Sequence, residues 1–347
     1  MEHPSVSLLT AMDGKLARVH VAVIGAGLAG VSCAIALQRA GFEVSMFDKG
    51  RGPGGRMSTR RGDDWQCDHG AQYFTARDPR FRAEVARWNE AGVAARWDAQ
   101  VAAFDAGGAV SPCEPTERFV GTPRMSAPAA WLAASLALHS GKLISALRRD
   151  QAGWRLHVQG GAPLARHYDA VVLALPAPQA EPLLHDVAPL QALAGEAKME
   201  SCWAMMLQYA SPLALGFEAA FVNRGPLRWV ARDSSKPGRA GSESWIVHAS
   251  AEWSDAHLEL DADCIAAHLL PAFAALGAPA PERWSAHRWR YAKAEQVRNE
   301  QCIWVDGQAL GLCGDWLNGG TVEAAWLSGL ALAQRITAAQ PVSRLRG

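Results

Sequence analysis

Three glycines near the start of the chain have the spacing of a phosphate-binding turn. Gly25, Gly27 and Gly30 follow the apolar run His20–Ile24 and precede a segment whose apolar residues have helical spacing. In such a strand–turn–helix unit the first glycine permits the tight turn, the second lets the backbone approach a pyrophosphate, and the third lets helix and strand pack closely. Asp48 lies about 20 residues beyond Gly25, where a carboxylate accepts hydrogen bonds from ribose hydroxyls. The sequence therefore predicts a dinucleotide site.

The elements that must position this turn are recognisable on both sides of it. We predict a helix over residues 28–40, closed by Gly41 as a left-handed cap, and a second strand over 43–47. Residues 168–175 form another apolar run of the kind found in buried parallel strands. A strand over 310–313 and a helix over 322–336 repeat the strand–helix pattern of the first elements at the far end of the chain. The nucleotide domain is therefore expected to be discontinuous.

The middle of the chain has a different sequence pattern. Antiparallel strands are predicted at 143–147 and 154–158, and later β-prone runs at 203–209, 227–231 and 245–249 are separated by turn-rich loops, with one helix over 262–276. We predict an α/β fold, a discontinuous Rossmann-like domain with an inserted domain of mixed β-sheet and helices. The expected bounds are a leader at 1–19, the nucleotide domain at 20–75, 120–178 and 293–340, and the substrate domain at 76–119 and 179–292.

A second glycine-rich segment follows Asp48. It reads KGRGPGGRM from Lys49 to Met57, and glycines at this density bring backbone close to a ligand while Arg51 and Arg56 can neutralise phosphate. Taken alone, such a segment is more often a flexible basic surface loop. Because FAD and NAD share the first fingerprint, the choice between them depends on other residues.

Several motifs resemble those of known flavoproteins. Gly54-Gly55-Arg56 is similar to the second glycine motif of the flavin amine oxidase superfamily, which includes protoporphyrinogen oxidases and phytoene desaturases. The string DHGAQYF at 68–74, with the TARD that follows it, resembles the bacterial branch of the renalase family. Further resemblance to that branch lies in GTPRMS at 121–126, HRWRYA at 287–292, GDW at 314–316 and VEAAWLSG at 322–329. The resemblance extends from about residue 20 to 336.

This resemblance implies a bound FAD, non-covalent because no cysteine lies in a flavin-linking context. It implies the pyrophosphate at the first glycines and the adenosine ribose at Asp48, where the family often has Glu. The ribityl arm is expected beside 55–57, the isoalloxazine beside 71–73, adenine near Ile144, and the positive end of the last helix at flavin N1/O2. The implied cofactor residues are Gly25, Ala26, Gly27, Leu28, Ala29, Gly30, Asp48, Lys49, Gly55, Arg56, Met57, Ala71, Gln72, Tyr73, Ile144, Gly314, Asp315, Val322, Glu323 and Ala324.

The sequence contains no recognisable acid–base or metal machinery. There is no GxSxG, HExxH or Walker loop and no close metal-ligand spacing, so we predict no catalytic acid or base and no metal. A flavin enzyme fits this pattern because the cofactor carries the chemistry. The renalase resemblance implies oxidation of the 2- and 6-dihydro isomers of NAD(P)H to NAD(P)+, by hydride transfer to flavin N5, with O2 reduced to H2O2. Such a donor becomes aromatic on losing hydride, so no general base is required.

Five residues are candidates for the substrate pocket: Tyr73, Trp203, His248, Trp289 and Asn318. His248 lies mid-strand, where a neutral hydrogen bond to a carboxamide competes with an ordinary core role. Most of the 14 tryptophans are expected in the core. The alternatives are an amine oxidase or another desaturase of the superfamily, a non-catalytic flavin-binding redox sensor, and a structural protein that has lost its cofactor. Amine oxidation needs an aromatic cage and, in this superfamily, a Lys-bound water, and the sequence identifies neither.

Composition excludes several other classes. The 347 residues carry 34 basic and 34 acidic side chains, for a formal net charge of +0, which argues against nucleic-acid binding and anionic membranes. The longest apolar stretch, 126–138, is too short to span a bilayer, and the first 20 residues lack the pattern of a secretion signal. The seven cysteines include no CxxC pair, so neither a disulfide framework nor a zinc site is predicted. We expect a cytoplasmic protein, with its oligomeric state open.

Overall fold

In a computed structural model, the structure describes residues 18–105, 107–296 and 298–339. Most of the predicted leader, residues 1–17, lies outside the described residues, and Arg18 and Val19 have no regular secondary structure. None of the described helices is both long enough and apolar enough to cross a membrane.

A six-stranded sheet carries the glycine turn. Its neighbouring strands are parallel except at one edge, where Ile303–Val305 runs antiparallel to the adjacent strand. The predicted Rossmann-like α/β fold is therefore confirmed. In order across the sheet, the strands are Ile303–Val305, Leu310–Leu312, Ala170–Leu173, His20–Ile24, Glu43–Asp48 and Ala137–Ser140.

The first and last helices cover one face of this sheet. Leu28–Arg39 and Val322–Ala339 pack together closely, because Gly329 lies against the backbone of Ala29: a Cβ there would be 2.0 Å from the Ala29 carbonyl oxygen. The strand His20–Ile24 is buried along its whole length, as expected for a strand covered on both faces. The two ends of the chain are thereby joined in one core.

A seven-stranded sheet forms the inserted part of the molecule. It is mixed, since Val101–Phe104 and Ala219–Arg224 are parallel while the other neighbours are antiparallel. The helix Ala262–Ala274 packs on it through Ile265, Leu269 and Phe273. The strand order is Arg283–Ala294, Met199–Tyr209, Glu243–Ala249, Leu227–Arg232, Ala219–Arg224, Val101–Phe104 and Val110–Pro112.

Smaller elements connect the two large sheets. The predicted strand at 168–175 is wrong as a single unit: Tyr168 ends a strand of a separate three-stranded sheet, and Ala170–Leu173 joins the six-stranded sheet. The three-stranded sheet consists of Ile144–Asp150, Gly153–Val158 and Pro163–Tyr168, and the two-stranded pairs are Thr59–Arg61 with Gln66–Asp68 and Ala94–Arg96 with Phe119–Gly121. The other α-helices are Pro79–Glu90, Ala127–Ala133, Ala177–Ala180, Ala188–Glu196 and Ala251–Ala256.

Candidate active site

A cavity of about 1210 Å³ lies between the six-stranded sheet and one edge of the seven-stranded sheet. Its lining includes residues at the carboxyl ends of three parallel strands, among them Gly25, Asp48 and Ala174, and residues of the strand Arg283–Ala294. Ligands of open parallel sheets bind at that end of the strands. The volume exceeds the roughly 300–1,000 Å³ typical of a site for one small molecule, so the cavity can hold a ligand of dinucleotide size.

The three glycines of the first turn have three different surroundings. Gly25 has φ +105°, and a Cβ on it would lie 2.4 Å from the Ala174 carbonyl oxygen. A Cβ on Gly30 would lie 2.0 Å from the Gly25 carbonyl oxygen, which is the tight contact of helix and strand. A Cβ on Gly27 would meet no protein atom within 4 Å and would project into the open cavity. Gly25 and Gly30 are thus required by the fold, whereas the space beside Gly27 is free for a ligand.

Asp48 fixes the shape of the turn through backbone hydrogen bonds. Its Oδ2 accepts from the Ala26 N–H at 2.6 Å, and its Oδ1 accepts from the Gly50 N–H at 2.6 Å. A carboxylate has about four acceptor sites, so two remain for ligand hydroxyls. Asp48 lines the cavity and can therefore support the turn and bind a ribose at the same time.

The second glycine segment contacts the first. The Gly54 N–H donates to the Ala26 carbonyl oxygen at 2.9 Å. Gly55 has φ +53°, and a Cβ on it would lie 3.2 Å from the Gly27 Cα. The two glycine segments therefore form one continuous wall of bare backbone along the cavity.

Arg56 joins this wall to the far end of the chain. One guanidinium nitrogen donates to Asp315 Oδ2 at 3.0 Å and to the Ala292 carbonyl oxygen at 3.2 Å, and the other pairs with Asp315 Oδ1. Asp315 is buried and Arg56 is about one quarter exposed. The salt bridge brings together three segments that are distant in sequence, and all three line the cavity.

The loop 68–72 extends the cavity wall from the second glycine segment. The Ala71 N–H donates to the Arg56 carbonyl oxygen at 2.8 Å, and a Cβ on Gly70 would lie 2.0 Å from that same oxygen. The carbonyl oxygen of His69 accepts from Trp289 Nε1 at 2.8 Å and contacts His248 Nε2 at 3.2 Å. This loop thus positions two of the predicted pocket residues.

His69, His287 and Trp289 form an aromatic cluster at this wall, and His248 contacts the His69 carbonyl beside it. The His69 ring stacks on Trp289, with ring centroids 5.1 Å apart, and meets His287 edge-on at 4.7 Å. Burial, with the nearby His287 and Arg60, lowers the pKa of His69 to about 3, and burial lowers the pKa of His248 to about 4. Burial also lowers the pKa of His287. The cluster is therefore neutral at pH 7.

The tautomer of His248 follows from its partner. A backbone carbonyl only accepts hydrogen bonds, so the Nε2 that faces His69 carries the proton. In the neutral ring Nδ1 is then an acceptor. His248 lines the cavity, and it can accept a hydrogen bond from an amide N–H there, as the predicted carboxamide contact requires.

The last helix directs its N-terminus at the cavity. Thr321 and Val322 line the cavity, and the Thr321 hydroxyl accepts from the Ala324 N–H at 3.1 Å. The carboxylate of Glu323 faces elsewhere and accepts from the Arg77 and Asp78 N–H groups, both at 2.7 Å. The free N–H groups of a helix start stabilise negative charge.

Most of the predicted site residues meet at the cavity. Those that line it are Gly25, Gly27, Leu28, Ala29, Asp48, Lys49, Gly55, Arg56, Met57, Ala71, Ile144, His248, Trp289, Gly314, Asp315 and Val322. Those that lie outside its lining are Ala26, Gly30, Gln72, Tyr73, Trp203, Asn318, Glu323 and Ala324. Of this second group, Ala26 and Gly30 still support the turn through their backbones.

Three of the five pocket predictions are not met by the geometry. Trp203 is buried in the core of the inserted sheet, where its Nε1 donates to the His257 carbonyl oxygen at 3.1 Å. Tyr73 packs against Trp229 and under Arg118, away from the cavity lining. Asn318 lies in a turn, where its own backbone N–H donates to the Asp315 carbonyl oxygen. The structure places each of them in a packing or turn role.

Strand alternation explains the error at Trp203 and identifies residues that were missed. Cys202 pairs with Trp289 across the sheet, and Trp203 pairs with Arg288. Because side chains alternate between faces, Cys202 and Trp289 face the cavity while Trp203 lies under the Arg288 guanidinium on the other face. The same alternation from Trp289 places His287, Tyr291 and Lys293 in the lining. Among these, His287 and Tyr291 belong to the HRWRYA motif, and period-two spacing could have identified them.

Basic side chains outnumber acidic ones around the cavity. The acidic residues of the lining are Asp48 and Asp315, and both already accept hydrogen bonds from the protein. The basic residues whose side chains are free to face the cavity are Lys49, Arg51, Arg61, Lys142 and Lys293, while Arg56 is paired with Asp315. Arg288 and Arg290 also border the cavity, but they pair with Glu259 on the other face of their strand. Such a cleft attracts anions.

Comparison with known proteins decides the family. Residues 23–88 match the NAD(P)-binding Rossmann-like domain, and residues 88–337 match the flavin containing amine oxidoreductase family. The second match spans well over half of the chain. The chain belongs to the flavin-containing amine oxidoreductase family. It is an oxidoreductase, and its cofactor is FAD.

Individual relatives agree with this family in fold. A provisionally named protoporphyrinogen oxidase from Exiguobacterium sp. 255-15 has a TM-score of 0.76 at 13% identity, over 93% of this chain and 100% of that one. Cyclohexylamine oxidase from Brevibacterium oxydans IH-35A has a TM-score of 0.72 at 13% identity, over 93% and 99%. The 4,4'-diaponeurosporene oxygenase of Staphylococcus aureus (strain MRSA252) is 36% identical over 56 residues, which are 16% of this chain and 11% of that protein. The chain thus matches about a tenth of that relative's length.

The residues of the cavity fit FAD. The open space beside Gly27 and the continuous bare backbone of the two glycine segments suit a pyrophosphate, and Asp48 retains acceptor capacity for the ribose. The helix start at Thr321–Val322 suits the flavin oxygen that gains negative charge on reduction. The described residues contain no group of three or more His, Cys, Asp or Glu side chains that could hold a metal ion.

Proposed function

We propose that this oxidoreductase oxidises the 2- and 6-dihydro isomers of NAD(P)H to NAD(P)+ and reduces O2 to H2O2. The donor loses a hydride from its dihydropyridine ring. O2 receives the two electrons and the proton of that hydride, and one further proton from solvent completes H2O2. FAD supplies the hydride acceptor at N5. The donor's product is an aromatic pyridinium, so no residue of the chain has to remove a proton.

The charge of the cavity lining is the observation that carries this proposal. Lys49, Arg51 and Lys142 are grouped near Asp48, where the adenosine end of FAD is expected. Two further basic residues, Arg61 and Lys293, also line the cavity. Arg288 and Arg290 border it as well, but their guanidinium groups pair with Glu259 on the other face of the strand. The FAD pyrophosphate accounts for positive charge along the glycine segments but not for Arg61 and Lys293. An anionic dinucleotide substrate does account for them.

The opposite charge preference is expected of a site for amines. An alkylamine is a cation near neutral pH, and a basic rim lowers its concentration at the site. Amine oxidation in this superfamily also uses a lysine-bound water. The fully buried Lys236 does not line the cavity, and its ammonium group is held by Asp68, Gln72 and Asp233. The aromatic cluster supplies a flat surface, and the neutral His248 supplies an acceptor for a carboxamide N–H. These features favour a dihydronicotinamide.

The pH dependence of flavin reduction tests this proposal. Purified protein is mixed anaerobically with borohydride-reduced NAD+, a mixture of isomers, and the loss of flavin absorbance is followed from pH 6 to pH 9. A hydride transfer that needs no base and meets only neutral histidines should have a nearly constant limiting rate. A limiting rate that rises about tenfold per pH unit would indicate a base or an amine that must deprotonate, and would contradict the proposal.

A further inference from the structure

Four charged side chains are buried behind the cavity wall. Asp68, Asp233 and Lys236 have fully buried side chains, and that of Arg239 is 2% exposed. Two are acidic and two are basic, so their formal charges cancel. Asp68 belongs to the loop 68–72, whereas the other three lie in the turn that follows the strand Leu227–Arg232. The cluster thus links the inserted sheet to the loop that faces the cofactor site.

Such a cluster is a costly way to fill a core. Removing each charge from water costs several kcal/mol, and well-packed apolar residues often give equal or greater stability. Both oxygens of Asp68 are nonetheless satisfied. They accept from Thr59 Oγ1 at 2.6 Å, the Met125 N–H at 3.1 Å and Lys236 Nζ at 3.3 Å, and they pair with Arg239. What these directional contacts provide is a defined geometry.

Lys236 connects the cluster to the loop through Gln72. Its Nζ donates to Asp233 Oδ1 at 2.7 Å and to Gln72 Oε1 at 3.1 Å. The Gln72 amide nitrogen then donates to the carbonyl oxygens of Asp68 at 2.6 Å and Gly70 at 3.1 Å. The lysine therefore fixes which end of the Gln72 amide faces the loop backbone, and the amide fixes the backbone on both sides of His69.

We propose that Lys236 is a positioning residue for flavin reduction. Through Gln72 it holds the His69 carbonyl where that oxygen orients Trp289 and His248, and so it sets the placement of the hydride donor. The role assigned to Lys236 rests on hydride transfer at the site of the proposed function, but it holds for any donor that stacks at this wall.

Two variants separate positioning from stability. Gln72→Met removes the relay but leaves Lys236 between two carboxylates. Lys236→Met combined with Asp233→Asn removes one charge of each sign and leaves the Asp68–Arg239 pair intact. Glu84→Gln is the control, since it alters another buried carboxylate, paired with Arg87 and Trp88 away from the loop. Each protein is purified with FAD, and its flavin content and thermal unfolding are measured.

The decisive measurement is the limiting rate of flavin reduction in anaerobic stopped-flow, with whichever donor reduces the wild-type flavin fastest. Both test variants should retain FAD, and their limiting reduction rate should fall on the order of tenfold or more, since small displacements of reacting groups are costly. The donor Kd should change less than threefold, and Glu84→Gln should match the wild type. Unchanged limiting rates in both variants would overturn the role of Lys236, as would loss of FAD or folding in Gln72→Met. A wild type that prefers an amine refutes the proposed donor without affecting this comparison.

Discussion

The indole Nε1 of Trp289 donates a hydrogen bond of 2.8 Å to the carbonyl oxygen of His69. This bond joins the edge strand of the inserted sheet to the loop that closes the cofactor cavity. The two rings also stack, with centroids 5.1 Å apart. The surface available to a substrate is therefore set by two segments 220 residues apart in sequence, and it depends on both the ring and its N–H.

Replacement of Trp289 should separate these two contributions. Trp289→Phe keeps an aromatic ring, and His248 still contacts the His69 carbonyl, so the limiting rate of flavin reduction should fall only severalfold. Trp289→Ala removes the surface, and a misplacement of about 1 Å can cost on the order of 100-fold. Stopped-flow reduction with matched FAD content checks this order. Equal rates in the wild type and Trp289→Ala would show that Trp289 does not hold the donor.

The glycines of the first turn should respond differently to substitution. Gly27→Val places a side chain in open cavity space, so the protein should fold and lose FAD. Gly25→Ala meets the Ala174 carbonyl oxygen at 2.4 Å with φ +105°, so it should destabilise the fold by at least about 1–3 kcal/mol. Gly307→Val is the matched control, because nothing lies within 4 Å of its Cβ and it is away from the cavity. Flavin absorbance per protein and urea unfolding distinguish the three, and full flavin content in Gly27→Val would refute the placement of the pyrophosphate.

Asp48→Ala should weaken FAD binding without abolishing it. The substitution removes the acceptor for the ribose and frees the Ala26 and Gly50 N–H groups. Hydrogen bonds to a charged group contribute about 1.5–3 kcal/mol, which corresponds to a Kd raised roughly 10- to 150-fold. Titration of the apoprotein with FAD measures it. An unchanged Kd would exclude Asp48 from the ribose site.

Acid should destabilise the protein through its buried histidines. The pKa of His248 is lowered to about 4 and that of His69 to about 3, whereas unfolded histidine titrates near 6.5. As the pH falls below about 6.5 the unfolded chain takes up protons that the folded chain does not, so stability decreases, by on the order of 3 kcal/mol for His248 at pH 4. Asp233 opposes this between pH 6 and 4, because burial beside Asp68 raises its pKa to about 6 and the folded state gains its proton first. The loss of stability from the two histidines exceeds the gain from Asp233, so the net effect of acid is destabilising.

Thermal unfolding from pH 8 to pH 4 measures this dependence. His248→Gln should flatten the decrease in Tm below pH 6.5. A wild-type Tm that stays constant down to pH 4 would contradict the neutral histidine cluster.

Sequence alone was sufficient where the relevant interactions are local. The turn Gly25–Gly30, the strand His20–Ile24 and the following helix are specified by residues within one supersecondary unit, and their pattern has few other structural solutions. The second glycine segment could be placed beside the first only through the family resemblance, because the contact of Gly54 with Ala26 has no local signal.

The pocket residues near Trp289 were hard to predict because their placement depends on contacts between segments that are far apart in sequence. Which face of a strand points into the cavity depends on its neighbours, and a one-residue difference separates Cys202, in the lining, from Trp203, in the core. Lys236 and Asp68 are 168 residues apart, and nothing in the composition of the two segments indicates their contact. The charged cluster was therefore outside the reach of sequence reasoning.

The proposed substrate is tested by comparing the rates at which three kinds of donor reduce the flavin. Purified protein is mixed anaerobically, at one pH and ionic strength, with borohydride-reduced NAD+, with ordinary NADH and with simple amines such as putrescine and cyclohexylamine. We expect rapid loss of flavin absorbance with the isomer mixture, NAD+ as the product, and slow or no reduction by the others. Reduction by an amine that outpaces every dihydronicotinamide would contradict this expectation and indicate an amine oxidase, and no reduction by any donor would indicate a flavin-binding protein without this activity.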